Sequence, residues 1–315
     1  ITMSQKITFS TSTYKKLLVA GLITDPSEIE PAIALCTLFQ RDYNSLIKTL
    51  ERSGMSLHDL GQFDPKNVNP KWIPLVTANP RILSQSSAFP VIEELGLPIP
   101  KTTSEFKVCI EKANLEGKIF VIEGRVFNEE DRETYQEFFE ENKNKEFSNL
   151  PVVKVVQENY TLTNLEKDDK LAPAIGLFTN CCQHVAGYAS ICATRAWTDP
   201  DCGVWVVRKS GQVISQSFVW RSDKDWLILD SVETLISQDH DKIALLYQHA
   251  AHQAVGKLGI VGVAVSDADN SGTSAVRALA GKQLKKRPKY KFPENDVYDH
   301  EWYTGDMDKA FVLAE

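Results

Sequence analysis

The stretch that decides the fold runs from Cys202 to Asp267: CGVWVVRK (202–209), SG (210–211), QVISQSFVW (212–220), DWLILDSVE (225–233), IALLYQHAAHQAVGKLG (243–259) and IVGVAVSD (260–267). Ser210-Gly211 is a tight-turn signal between two β-rich runs, so the first two segments predict a hairpin. QVISQSFVW alternates, with Val213, Ser215, Ser217 and Val219 on one face and Ile214, Gln216, Phe218 and Trp220 on the other. WLILD is continuously apolar, the pattern of a strand covered on both faces. The next segment has the apolar period of an amphipathic helix, and IVGVAVSD reads as a fourth strand. The expected order is an antiparallel meander, a helix crossover and a further strand.

Outward from this core, a helix is expected within GLFTNCCQHVAGYASICATRAW (176–197), where Val185, Tyr188, Ala189 and Cys192 share a face. Upstream, PVVKVVQENYTLT (151–163) and KIFVIEGRVF (118–127) each predict a strand, and NEEDRETYQEFFEENKNK (128–145) a helix with acidic residues in its first turn. TSEFKVCIEKANLEG (103–117) predicts a helix capped by Thr103 or Ser104 and ended by Gly117. Prolines at 65, 70, 74, 80, 90, 98 and 100 leave room only for short helices such as RILSQSSA and VIEELG. Residues 1–63 carry a helical apolar period, from Ile29 to Leu50, with Gly54 as its stop. The charged stretch LEKDDKLAP (165–173) has no apolar period. It predicts a boundary between a helix-rich N-terminal domain (1–165) and an α/β domain (166–315). The expected fold class is therefore α/β, with a mixed, mostly antiparallel central sheet and flanking helices.

The net charge of −7 over 315 residues argues against nonspecific nucleic-acid binding by the whole chain. No apolar run reaches the length of a membrane span, and the first residues lack the apolar centre of a secretory leader. These features predict a cytoplasmic protein with no membrane partner, whose six cysteines stay reduced.

The order of segments resembles the GNAT superfamily of N-acetyltransferases. The residues that carry the likeness are TNCCQH (179–184), the GVWVVRKSGQVISQSFVW hairpin (203–220) and LILDSVE (227–233). It extends from about Leu177 to the end and is shared with proteins of large bacteriophages and intracellular bacteria. The resemblance implies acyl transfer from acetyl-coenzyme A to an amine on a protein or small molecule, and it fits an effector that meets a host protein. It implies Glu233 as general base and a downstream tyrosine, Tyr298 or Tyr290, as general acid. Val232 and Lys242 would meet the coenzyme, with Lys285 and Lys286 of the basic run KQLKKRPKYK (282–291) reaching a phosphate. One departure is plain: the loop TLISQDHDKIA (234–244) lacks the glycines and arginines that hold a pyrophosphate, and carries Asp239 and Asp241 instead. A non-catalytic binding module that has lost this loop is the alternative.

The residues themselves suggest a pocket. Gln216 in a buried strand, followed by Trp220 and Arg221, predicts a polar, aromatic-lined cleft. Asn180, Cys182, Gln183 and His184 form a polar cluster, and Asp230 closes the set on the third strand. Cys181 or Cys182 at a helix N-terminus would have a lowered pKa and a thiol's reactivity. Cys181, Cys182, His184, Cys192 and Cys202 are zinc-type residues without zinc-type spacing, so no metal is expected. His249 and His252 share a helix face and lack a third ligand in the sequence.

Overall fold

A computed structural model of the protein describes residue 48 and residues 69–127, 129–144, 149–166, 168–179, 181–235, 239–285 and 309–315. The helical reading of residues 1–63 lies outside the described residues, Lys48 excepted. The chain divides into two compact units, Ile1–Glu133 and Thr134–Glu315.

In the first unit, 3₁₀ turns at Pro70–Trp72 and Pro80–Gln85 alternate with α1 (Ile73–Ala78) and α2 (Ala88–Glu94). Each 3₁₀ turn starts at proline, where a missing N–H is harmless, and each is capped by an asparagine. Asn69 Oδ1 accepts Lys71 N–H at 3.1 Å, and Asn79 Oδ1 accepts Arg81 N–H at 3.2 Å. Helix α3 (Thr103–Leu115) is capped by Thr102, one residue earlier than expected, whose hydroxyl accepts Glu105 N–H at 3.2 Å. Trp72 stacks on Phe89 at 4.1 Å and meets Phe106 edge-on at 6.0 Å, which makes a small aromatic core. KIFVIEGRVF is a hairpin rather than one strand, β1 (Phe120–Ile122) with β2 (Arg125–Phe127). Glu123 and Gly124 both have positive φ, +46° and +80°, as a two-residue hairpin turn requires.

Helix α4 (Glu129–Asn142) follows. PVVKVVQENYTLT is also a hairpin, β3 (Lys154–Gln157) with β4 (Tyr160–Asn164). Helices α5 (Ile175–Thr179) and α6 (Ser190–Thr198) precede the meander β5 (Cys202–Lys209), β6 (Gln212–Arg221) and β7 (Trp226–Thr234). Then come α7 (His240–Ala254), β8 (Gly262–Ser266), α8 (Ser271–Ala278) and β9 (Ala310–Ala314). The sheet order is β3-β4-β5-β6-β7-β8-β9, and only β7–β8 is parallel. This is the expected mixed, mostly antiparallel α/β architecture. The division between the units falls at 133/134 rather than at 165/166. The reason is that β4 pairs with β5 from Tyr160↔Lys209 to Asn164↔Trp205, so residues before 166 are part of the C-terminal sheet.

Helix α7 packs its apolar stripe (Ile243, Leu246, Tyr247, Ala250, Ala254) into one core cluster with Trp205, Val207, Val219, Leu229 and Val232. Tyr247 is fully buried, with its ring stacked on Trp205 at 6.4 Å. Its hydroxyl lies 3.3 Å from Ser215 Oγ, which explains a serine inside this core. Ser210-Gly211 turns as expected, with φ of +51° and +84°. Beyond the turn, Val207 pairs with Ser215 and Arg208 with Val213, so Ile214 is an unpaired bulge that breaks the expected alternation.

The helix expected over 176–197 is interrupted between Thr179 and Ser190. There the backbone closes on itself: Cys181 N–H donates to Gly176 O at 2.8 Å, and Cys182 O accepts from His184 N–H at 3.0 Å and Ala189 N–H at 3.1 Å. The two cysteines thus follow the end of α5 and do not stand at a helix N-terminus.

Candidate functional site

The centre of the site is a change of register in β7. Ser217 pairs with Val232 and Val219 with Leu229, so Asp230 and Ser231 together stand opposite Phe218. Such an extra residue re-aims side chains and is common beside functional sites. At the same point β7 and β8 stop pairing: their register runs from Trp226↔Gly262 to Leu229↔Val265.

Three predicted residues are linked here by hydrogen bonds. Gln216 Nε2 donates to Gln183 Oε1 at 2.8 Å, and Gln183 Nε2 donates to Asp230 Oδ2 at 3.0 Å. The carboxylate only accepts, so it fixes the direction of both amides. The direction leaves Gln216 Oε1 buried with no donor, in a side chain that is 0 % exposed. An orphan of this kind costs about 1–3 kcal/mol.

Glu233 is the cross-strand partner of Gln216. It accepts from Ser231 Oγ at 3.0 Å and from Asn270 Nδ2 at 3.3 Å. Burial raises its pKa above the usual carboxylate value, against the opposing pull of the Ser231 bond. The Cys181 thiol is also pushed up, first by burial and then by the charge of Glu233, so it stays protonated at neutral pH. The lowered thiol pKa expected for a helix N-terminus does not apply to Cys181, because the helix end is absent and a carboxylate stands beside it. Cys182 is exposed, and His184 is half-buried with Nδ1 3.4 Å from the Tyr135 hydroxyl.

Other predicted residues stand elsewhere. Trp220 and Arg221 lie at the far end of β6, about 13 and 17 Å from Gln216 at roughly 3.3 Å per residue. Arg221 pairs there with Asp225 at 2.6 Å. Lys242 is exposed and pairs with Glu158 at 3.1 Å. Lys285 is exposed just after the segment whose Leu284 N–H pairs with Ala310 O of β9. Asn180, Lys286, Tyr290 and Tyr298 lie outside the described residues. His249 and His252 are exposed on α7, and among the described residues no group of three or more histidine, cysteine or carboxylate side chains could hold a metal.

The sequence reading missed the residues around β8 and α8. Asn270 caps α8, with Oδ1 accepting Thr273 N–H at 2.7 Å, and its amide also reaches Glu233. Ser266 Oγ donates to Asp230 O. Thr273 Oγ1 accepts Val232 N–H at 2.8 Å. A Cβ on Gly272 would come within 2.2 Å of Val232 O, so the start of α8 lies directly against the β7 backbone. The NSGT sequence (270–273) is a legible helix-cap signal, but nothing in it reveals a strand as the second partner.

These contacts do not fit coenzyme A. Val232, expected to meet the coenzyme, has its backbone N–H already bound to Thr273. The loop before α7 offers no glycine or arginine, and its Asp239 is paired with Lys209 at 2.8 Å. No protein-family model, curated protein or solved structure matches this chain.

Proposed function

We propose that residues 134–315 form a GNAT-like domain serving as a binding module, which takes a small ligand at the Asp230–Glu233 centre and does not take coenzyme A. The GNAT-like part of the reading rests on the strand order: meander, helix crossover, one parallel pair and an antiparallel last strand. The observation that carries the binding-module part is the Val232 N–H bond to Thr273, because it fills the gap where β7 and β8 part. The centre is rich in acceptors (Asp230, Glu233 and the Gln216 amide oxygen) and half open, since Asp230, Ser231, Glu233 and Asn270 are all half-buried. A ligand that donates hydrogen bonds suits it.

One observation favours a second reading, acyl transfer to an amine with Glu233 as proton acceptor. Burial raises the Glu233 pKa, the direction that makes a carboxylate a better base near neutral pH. Incubation of the protein with acetyl-coenzyme A and spermidine, followed by mass spectrometry of the amine, separates the two. The binding module gives no acetylspermidine above the protein-free control. Product that is lost in Glu233→Gln would establish the transferase instead.

A further inference from the structure

Gln216 and Glu233 are cross-strand partners on β6 and β7, so their side chains stand side by side on one face of the sheet. It is the face opposite α7, because the preceding Ser215 reaches Tyr247 of that helix. The Gln216 amide gives an N–H to Gln183 and is fully buried, and its oxygen has no hydrogen-bond partner. Such an orphan is rare in a native interior and calls for a donor. Glu233 is half-buried. Its donors, Ser231 Oγ at 3.0 Å and Asn270 Nδ2 at 3.3 Å, are both neutral and both go to Oε1. Neither uses Oε2, and neither balances the charge. Asp230 holds Gln183 Nε2, which keeps the Gln216 amide from turning over. A fixed neutral acceptor thus stands next to a carboxylate oxygen, and the open side of the cluster belongs to the half-buried Asp230, Ser231, Glu233 and Asn270.

We infer that this pair binds the guanidinium group of a small molecule, with one N–H donated to the Glu233 carboxylate and a second to Gln216 Oε1. The inference rests on the binding-module reading above and names the chemical class of its ligand.

The Cα atoms of directly opposed residues lie about 4.5–5.5 Å apart, and the rigid fork of a guanidinium offers two donors side by side across such a pair. The group has five N–H donors and no acceptor, so nothing on it opposes the acceptors of the site. It is more weakly hydrated than an ammonium and loses less on meeting a buried, neutral amide oxygen. An anion would meet two carboxylates. A neutral ligand would leave the Glu233 charge unbalanced. The bond to Glu233 is charge-assisted and therefore the stronger of the two, while the bond to Gln216 satisfies an oxygen that is costly to leave alone.

The test titrates the full chain with butylguanidine and with butylamine, which share an alkyl chain and a single positive charge, by calorimetry and by NMR of the side-chain amides. Butylguanidine should bind about tenfold more tightly than butylamine and should shift the Gln216 amide signal. Glu233→Gln should weaken it by about tenfold or more, the loss of one charge-assisted bond. Glu158→Gln, at an exposed carboxylate paired with Lys242, should leave it unchanged. Equal or tighter binding of butylamine, lost in Glu233→Gln, would overturn the guanidinium assignment while leaving the site a binding site. Binding of either compound that survives Glu233→Gln would overturn it too, as would no binding of either. The binding-module reading is judged separately, by acetylspermidine formation. An arginine in a capped Gly-Arg-Gly peptide is the other source of the group. Binding of the peptide without binding of butylguanidine would overturn the small-molecule source.

Discussion

Thr273 Oγ1 accepts the backbone N–H of Val232 at 2.8 Å, across the point where β7 and β8 cease to pair. Both residues are fully buried. A side chain of one element here satisfies the main chain of another that would otherwise need a strand, a water or a ligand. Thr273→Val keeps the shape and removes the acceptor. It should destabilise the protein by about 1–3 kcal/mol, the cost of an unsatisfied buried donor, measured by urea denaturation. An unchanged midpoint would mean that the N–H finds another partner.

Gly272 sets how closely α8 approaches that strand. With Val232 O 2.2 Å from the position of an added Cβ, and Thr234 Cγ2 at 2.9 Å, the helix must move if Ala replaces it. Gly272→Ala should cost about 1–3 kcal/mol, as overpacking of a filled interior does, in spite of alanine's better helix propensity. Equal or greater stability in thermal unfolding would show that α8 is free to shift.

Glu233 links the site to pH. Its folded pKa lies above the ordinary value of 4.5, with burial as the leading cause. The folded state then holds the proton more tightly than the unfolded state. The contribution is fully present below the unfolded pKa and is lost as pH rises through the folded pKa. Glu233→Gln removes this dependence. Stability measured from pH 4.5 upward should fall less steeply in the variant than in the parent protein, starting from the 4.5 reference. Parallel curves would contradict the assignment.

Cys181 and Cys182 should differ in reactivity although they are adjacent. Iodoacetamide at neutral pH should label the exposed Cys182 first, because burial and the Glu233 charge keep Cys181 as the slow, protonated thiol. Glu233→Gln removes the charge and should accelerate labelling of Cys181, as read by peptide mass spectrometry. Faster labelling of Cys181 in the parent protein would be the opposite of what this site predicts.

The sheet was legible where local chemistry and tertiary packing agree. Ser210-Gly211 is a turn by its own backbone preference, and the apolar run of β7 reads as a strand covered on both faces, with Leu227, Ile228 and Leu229 all fully buried. Where two hairpins read as single strands, the turn carried a weaker signal: Glu123-Gly124 lacks the asparagine or aspartate that marks such turns, yet Gly124 still takes the positive φ. The break between α5 and α6 was hidden because it is held by backbone hydrogen bonds around Cys181 and Cys182, which no side-chain pattern records.

The site was legible in part for a similar reason. Gln216, Gln183, Asp230 and Glu233 stand out as polar residues among strand and helix patterns, and they do gather. Arg221 and Trp220 are next to them in the pattern, but strand geometry carries them away. Asn270 and Thr273 were missed because each has an ordinary local role in capping α8, and their second partners are distant in sequence.

The proposed binding module takes no coenzyme A, because Thr273 of α8 already holds the Val232 N–H. Calorimetric titration of the purified protein with acetyl-coenzyme A tests it most directly, with Thr273→Val run alongside. No binding heat is expected from the parent protein. Micromolar binding by the parent protein, lost when Lys282 and Lys285 are neutralised, would contradict it and return the domain to the acetyltransferases.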